Sequence, residues 1–164
     1  MTRALILYHS LYGNTKLVAI SLAKGIEESG IETTCRSIED FDIDKIMTFD
    51  FIAIGSPTHM LRPSKPMKEF LQKLKAFNLS GKVGFCFDTR NESKMNKRSY
   101  LILENSAARG IEGLMKRMKI KLIQPRQSAI VEGREGPLNQ GVESMFFKIG
   151  SEIGNSIITQ LETV

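Results

Sequence analysis

Arg3-Ala4-Leu5-Ile6-Leu7-Tyr8-His9-Ser10-Leu11-Tyr12-Gly13-Asn14-Thr15 runs an apolar segment straight into a cluster of small polar residues. Residues 3–8 are almost continuously apolar, the pattern of a strand buried on both faces. Beyond the cluster, Val18, Leu22 and Ile26 recur at four-residue spacing with Ala19 and Ala23 beside them, and Gly30 supplies a stop. This predicts a helix over 14–29. A strand feeding a helix through so short a turn places the unpaired N–H groups and the positive dipole end of that helix at the end of the strand. An anion fits such a place. The Ser10 and Thr15 hydroxyls, the Asn14 amide and the backbone freedom of Gly13 are neutral donors able to surround a terminal phosphate, with Leu11 and Tyr12 between them. A plain N-cap and turn is the alternative reading. The spacing is neither that of a Walker loop nor that of the G-x-G-x-x-G dinucleotide loop.

Outward from this segment, short β-like runs alternate with helical ones, as in βα units with a parallel sheet. Strands are predicted over 3–8, 31–37, 51–55, 82–87 and 121–131, the last interrupted by Pro125. Helices are predicted over 14–29, from about Ser64 with Met67, Phe70, Leu71 and Leu74 inward, over 99–118, and over 139–162. The apolar runs of the first, third and fourth strands place them at the centre of the sheet. Right-handed crossovers then give an α/β three-layer sandwich with a five-stranded parallel sheet, whose ligands lie beyond the carboxyl ends of the strands. Residues 1–164 read as a single domain, a length that hides roughly 70% of the unfolded surface.

The 164 residues are 41% hydrophobic and 25% charged, ordinary for a globular chain. No apolar run approaches the ~20 residues that cross a bilayer, and the N-terminus does not read as a signal peptide, so a cytoplasmic protein without membrane contact is expected. Cys35 and Cys86 stand alone in different predicted strands and read as core thiols. The 23 Lys and Arg exceed the 18 Asp and Glu, for a net charge of +5. These cations are scattered without interleaved aromatics, so nucleic acid is not the expected partner.

Ser-x-Tyr-Gly-Asn-Thr after an apolar strand resembles the flavodoxin signature. The resemblance implies the flavodoxin-like sandwich with strand order 2-1-3-4-5. It also implies flavin mononucleotide (FMN) as cofactor, its phosphate at Ser10, Leu11, Tyr12, Gly13, Asn14 and Thr15. Two further loops would flank the isoalloxazine ring: Gly55 to Pro63 after the third strand, with Ser56, Pro57, Thr58, His59 and Met60 as its contacts, and Asp88-Thr89-Arg90-Asn91-Glu92 after the fourth, with Asp88, Thr89 and Arg90 as its contacts. Gly55-Ser56-Pro57-Thr58 resembles the quinone-reductase-like branches of the family in particular. For Asp88 and Thr89 a helix cap is the competing role, for Ser-Pro-Thr a β-turn, and for His59 a solvent-facing position.

Several residues depart from the flavodoxin pattern. There is no Trp, no aromatic within residues 56–63, no Gly there to permit a peptide flip beside the ring, and the net charge is positive rather than strongly negative. Tyr12 and Tyr100 are the aromatics available to the ring. Arg62 and Arg90 near the flavin would favour its anionic reduced form, by ~1 to ~4 kcal/mol for a charge at ~4 Å. Arg134-Glu135-Gly136-Pro137-Leu138 reads either as partner surface or as a polar turn.

Three functions follow from the resemblance and the residues. The first is an FMN-binding electron-transfer flavoprotein, a monomer or homodimer, exchanging electrons with a redox protein partner such as an acidic ferredoxin. The second is an FMN-dependent NAD(P)H oxidoreductase that reduces quinones or similar acceptors. The third is a non-redox module that binds a phosphorylated ligand.

Overall fold

In the computed structural model, which describes residues 1–91 and 105–162, a twisted parallel sheet is covered by helices on both faces. Glu92, Tyr100, the first residues of the helix predicted from Ser99 and the side chain of Leu161 lie outside the described residues. The elements are β1 (Arg3–Tyr8), α1 (Asn14–Glu27), β2 (Glu32–Ser37), a 3-10 turn (Ile43–Thr48), β3 (Phe51–His59), β4 (Arg62–Pro63), α2 (Lys65–Leu74), β5 (Val83–Asn91), α3 (Ala107–Arg117), β6 (Lys121–Leu122), β7 (Gln127–Val131) and α4 (Val142–Glu162).

Strand order is β2-β1-β3-β5, with β6 beside the start of β5 and β7 beside its end. Pro125 separates β6 from β7, so the two segments together occupy the place of the predicted fifth strand, and the order 2-1-3-4-5 holds. Side-chain alternation splits the core in two. Ala4, Ile6, Phe51, Ala53, Phe85 and Phe87 face α1 and α4, while Leu5, Leu7, Ile52, Ile54 and Cys86 face α2 and α3. Cys86 is fully buried, which pushes its thiol up to about 12, and Cys35 on the edge strand is raised to about 11 by the same desolvation. Cys86 is a core thiol, and Cys35 is partly buried against the core.

Helices α1 and α4 meet backbone to backbone. A Cβ on Gly25 would stand 2.1 Å from the Phe147 carbonyl oxygen, and one on Gly150 would stand 2.2 Å from that of Leu22.

β3 and β5 run four residues past their predicted ends. Their pairing continues through Ser56 with Asp88 and Pro57 with Thr89, after which β3 turns back on β4 as a hairpin. The extension is fastened from below. Asp88 is fully buried; its Oδ2 accepts from the Ala108 N–H (3.0 Å) and the Thr58 hydroxyl (3.1 Å). Thr58 Oγ1 in turn accepts from the Ala107 N–H (3.0 Å), and Ser106 caps the Arg109 N–H (3.2 Å). The first turn of α3 is thereby satisfied from two strands at once.

A second buried network joins β1, β3 and α2. His9 Nδ1 and Ser64 Oγ are 2.7 Å apart, the Ser64 N–H donates to Ser56 Oγ (3.0 Å), and Ser64 Oγ accepts from Met67 N–H at the start of α2 (3.4 Å). Burial lowers the His9 pKa, with the nearby Glu39 carboxylate raising it in part and His59 lowering it further.

Each contact has a measurable consequence. Gly150→Ala forces α1 and α4 apart and is expected to lower the free energy of unfolding in urea by about 1–3 kcal/mol, the range for overpacking, despite Ala's better helix propensity. Asp88→Ala leaves the Ala108 N–H without its acceptor; a loss of about 1–3 kcal/mol is expected, with Asp88→Asn losing less because it keeps one acceptor. Since the folded His9 pKa lies below its unfolded value, the unfolded chain binds more protons. Stability is then complete above the ordinary imidazole pKa of ~6.5 and is lost as pH falls through the folded pKa. The urea midpoint should fall between about pH 7 and about pH 5, and His9→Asn should flatten that dependence.

Candidate functional site

The loop between β1 and α1 leaves the sheet at His9, whose N–H donates to the Gly55 carbonyl (3.1 Å). Ser10 Oγ accepts from the Gly13 N–H (3.1 Å) and the Lys16 N–H (3.2 Å), and so shapes the loop from within. Gly13 occupies the N-cap in the left-handed region (φ 95°), makes no side-chain cap, and is followed by no acidic residue in the first turn. The N–H groups of Asn14 and Thr15 find no acceptor among the described residues. A helix N-terminus left open in this way presents unpaired N–H donors and the positive end of the helix dipole, which suit an anion.

A cleft of about 580 Å³ opens in front of that terminus. Its walls come from three strand ends and two loops: Ser10, Leu11, Tyr12, Asn14 and Thr15 on one side, Pro57, Thr58, His59 and Met60 on the second, and Thr89 and Arg90 on the third. Thr15 Oγ1 and Thr89 Oγ1, 2.8 Å apart, tie the first wall to the third. Of the residues predicted for the site, Gly13, Ser56 and Asp88 do not line the cleft. Gly13 sets the turn, Ser56 holds Ser64, and Asp88 holds α3. Thr58 both lines the cleft and caps the helix. His59 is exposed, and Arg62 lies on β4, facing a neighbouring groove rather than this cleft.

Asn91, in the second loop expected beside the ring but not among its expected contacts, also lines the cleft, as do Val131 and Arg134, which were not predicted to. The β7–α4 connection folds back so that Gly136 sits on the Asn14 amide, where a Cβ would come within 2.6 Å of Oδ1. The Arg-Glu-Gly-Pro segment was legible only as a polar turn or partner surface, because its approach to the first loop spans more than a hundred residues of sequence. Arg90, Arg134, Tyr12 and His59 are the titratable residues among the described residues of the lining, and no carboxylate or thiol is found among those described residues. No group of three or more potential metal ligands occurs among the described residues.

Comparison with known proteins bears on this arrangement. A family model described as a flavodoxin domain matches residues 5–133. The flavodoxin of Clostridium saccharobutylicum is 34% identical over 87 residues, 52% of this chain and 54% of that protein. An NAD(P)H dehydrogenase (quinone) of Archaeoglobus fulgidus is 29% identical over 121 residues, 56% of this chain and 63% of its own length. The chain thus spans about half to three-fifths of these two curated relatives. Among solved structures, a flavodoxin from the domain Archaea superposes with a TM-score of 0.79 at 24% identity, covering 95% of this chain and 99% of the other, a likeness of fold. With the matching family model spanning most of the chain, on this sheet order and with this loop after the first strand, the protein belongs to the flavodoxin family, whose cofactor is FMN.

Proposed function

We propose that the cleft holds FMN and that the protein is an electron-transfer flavoprotein serving a redox protein partner. The observation that carries this reading is the first turn of α1, whose N-cap Gly13 makes no side-chain cap and whose Asn14 and Thr15 N–H groups open with neutral donors into a cleft bounded by the ends of β1, β3 and β5. Ser10, Asn14, Thr15 and the loop amides would hold the phosphate, and the polypeptide at residues 57–60 and 89–91 would bound the ring. A phosphomonoester needs many hydrogen bonds more than a single countercharge, and these residues supply them. FMN supplies the redox chemistry when bound.

The protein's own residues then have limited work: they bind, orient and tune. Among the described residues of the lining, none is a carboxylate or thiol that could act as general base or nucleophile. Arg90 and Arg134 bring positive charge to the cleft, which favours an anionic reduced ring. A second reading, an FMN-dependent oxidoreductase that takes hydride from NAD(P)H and reduces quinones, draws support from relatives named NAD(P)H dehydrogenase (quinone) in Archaeoglobus fulgidus and Paracoccus denitrificans.

The test is a flavin titration of the purified protein with a visible absorption spectrum. FMN is expected to bind and riboflavin, lacking the phosphate, to bind far more weakly. Ser10→Ala, which removes the acceptor that shapes the loop, should weaken FMN by about tenfold or more while leaving riboflavin nearly unchanged. A protein without flavin bands that takes up no added FMN would dismiss both redox readings in favour of a non-redox phosphate-ligand module. Rapid NADPH oxidation with a quinone acceptor would move the assignment to the second reading.

A further inference from the structure

Beside the cofactor cleft runs a second groove, separated from it by the β3–β4 hairpin and lined in part by Arg62, Arg109 and Arg117. All three are exposed, and none of the ten described residues that line the groove is acidic. Arg109, Gly113 and Arg117 recur at four-residue spacing along one face of α3, and nothing stands within 4 Å of where a Gly113 Cβ would be. The two arginines are therefore about 12 Å apart along the helix, with an open floor between them. Arg109 Nη1 donates to Asn105 Oδ1 (2.8 Å), which draws its head toward the N-terminal end and away from Arg117.

The hairpin tip above this groove is unusual in the opposite sense. Met60 and Leu61 both adopt positive φ (49° and 67°), a turn that ordinarily takes Asn-Gly. Non-glycine residues in that region are uncommon and cost energy, which marks such positions for function more often than for stability. Here the strain holds Met60 out at 93% exposure, at the rim of both the cleft and the groove. Leu11 and Tyr12, also exposed, stand on another wall of the cleft.

We propose that the hairpin tip and the arginine face of α3 form the docking surface for an acidic protein, which presents carboxylates around an apolar spot and reaches the cofactor edge past Met60. The inference rests on the reading of the chain as an electron carrier. Two cations spaced along a helix, with a third on the hairpin across the groove, match a surface of distributed carboxylates. A nucleotide phosphate would instead need guanidinium groups converging on one point. Charge laid beside a small apolar contact also gives fast, salt-sensitive association with little buried area, as transient electron transfer requires.

The experiment measures binding of a fluorescently labelled, strongly acidic plant-type [2Fe–2S] ferredoxin to the FMN-saturated protein at ~0.01 M ionic strength and again at ~1 M, where screening removes the steering. FMN uptake is measured in parallel for every variant. R62E/R109E/R117E is expected to weaken ferredoxin binding at low salt by about tenfold or more, with FMN uptake unchanged. K24E/K148E, on the helices covering the other face of the sheet, should change binding by less than about twofold, and R62K/R109K/R117K should stay within about threefold of the parent. Met60→Ser should weaken binding at both salt concentrations. The proposal is overturned if the parent does not bind ferredoxin, if the two reversals act alike, or if the lysine variant fails as fully as the glutamate one, which would mark a guanidinium-specific phosphate site. Ferredoxin binding through the groove by a protein that takes up no FMN would uphold the docking surface and defeat the carrier reading.

Discussion

Strands β1, β3 and β5 are buried on both faces, and that burial governs everything else in the molecule. A strand with no water on either side must pair its backbone with neighbouring strands, and the apolar side chains on its two faces need a layer of helices each. Parallel pairing with intervening helices brings every strand's carboxyl end to one edge. The polar residues that follow β1, β3 and β5 are thus delivered to one place from segments far apart in sequence. The cleft is a consequence of the core.

At that edge the polar side chains divide their labour. Asp88, Ser56, Ser64 and His9 turn inward and hold the starts of α2 and α3 against the sheet. Ser10 and Asn14 line the open space, while Thr58, which also caps α3, and the Thr15–Thr89 pair belong to both sets. The inward group makes the outward group rigid, since the extended ends of β3 and β5 have little apolar packing of their own and depend on these bonds. At α1 the division is reversed. Its first turn takes only the Ser10 hydroxyl and keeps its remaining amides toward the cleft.

Charge around this site differs from that expected of an acidic flavodoxin. Among the described residues the lining carries arginines and no carboxylate, and the adjoining groove repeats the pattern. Tight turning without glycine at Met60 and Leu61 adds an apolar knuckle where cleft and groove meet. On the proposed reading, the same few loops would set both the cofactor's electronics and the choice of partner.

Local pattern alone determined the element types, the central strands and the phosphate-loop motif, because periodicity and helix-start chemistry are written within a few consecutive residues. Residues 3–15 needed nothing beyond themselves to be read as strand, loop and helix. The reach of β3 to His59 and of β5 to Asn91 was not legible, since those residues are strand only by virtue of each other and of α3. Nor was the role of Asp88 as a helix anchor, for its partners Ala108 and Thr58 lie 20 and 30 residues away. Arg134 and Gly136 reach the first loop only after the chain has crossed the whole sheet. Sequence fixes what each residue does to its neighbours along the chain; which distant residues meet at the strand ends is decided by the packing of two layers of helices on one sheet.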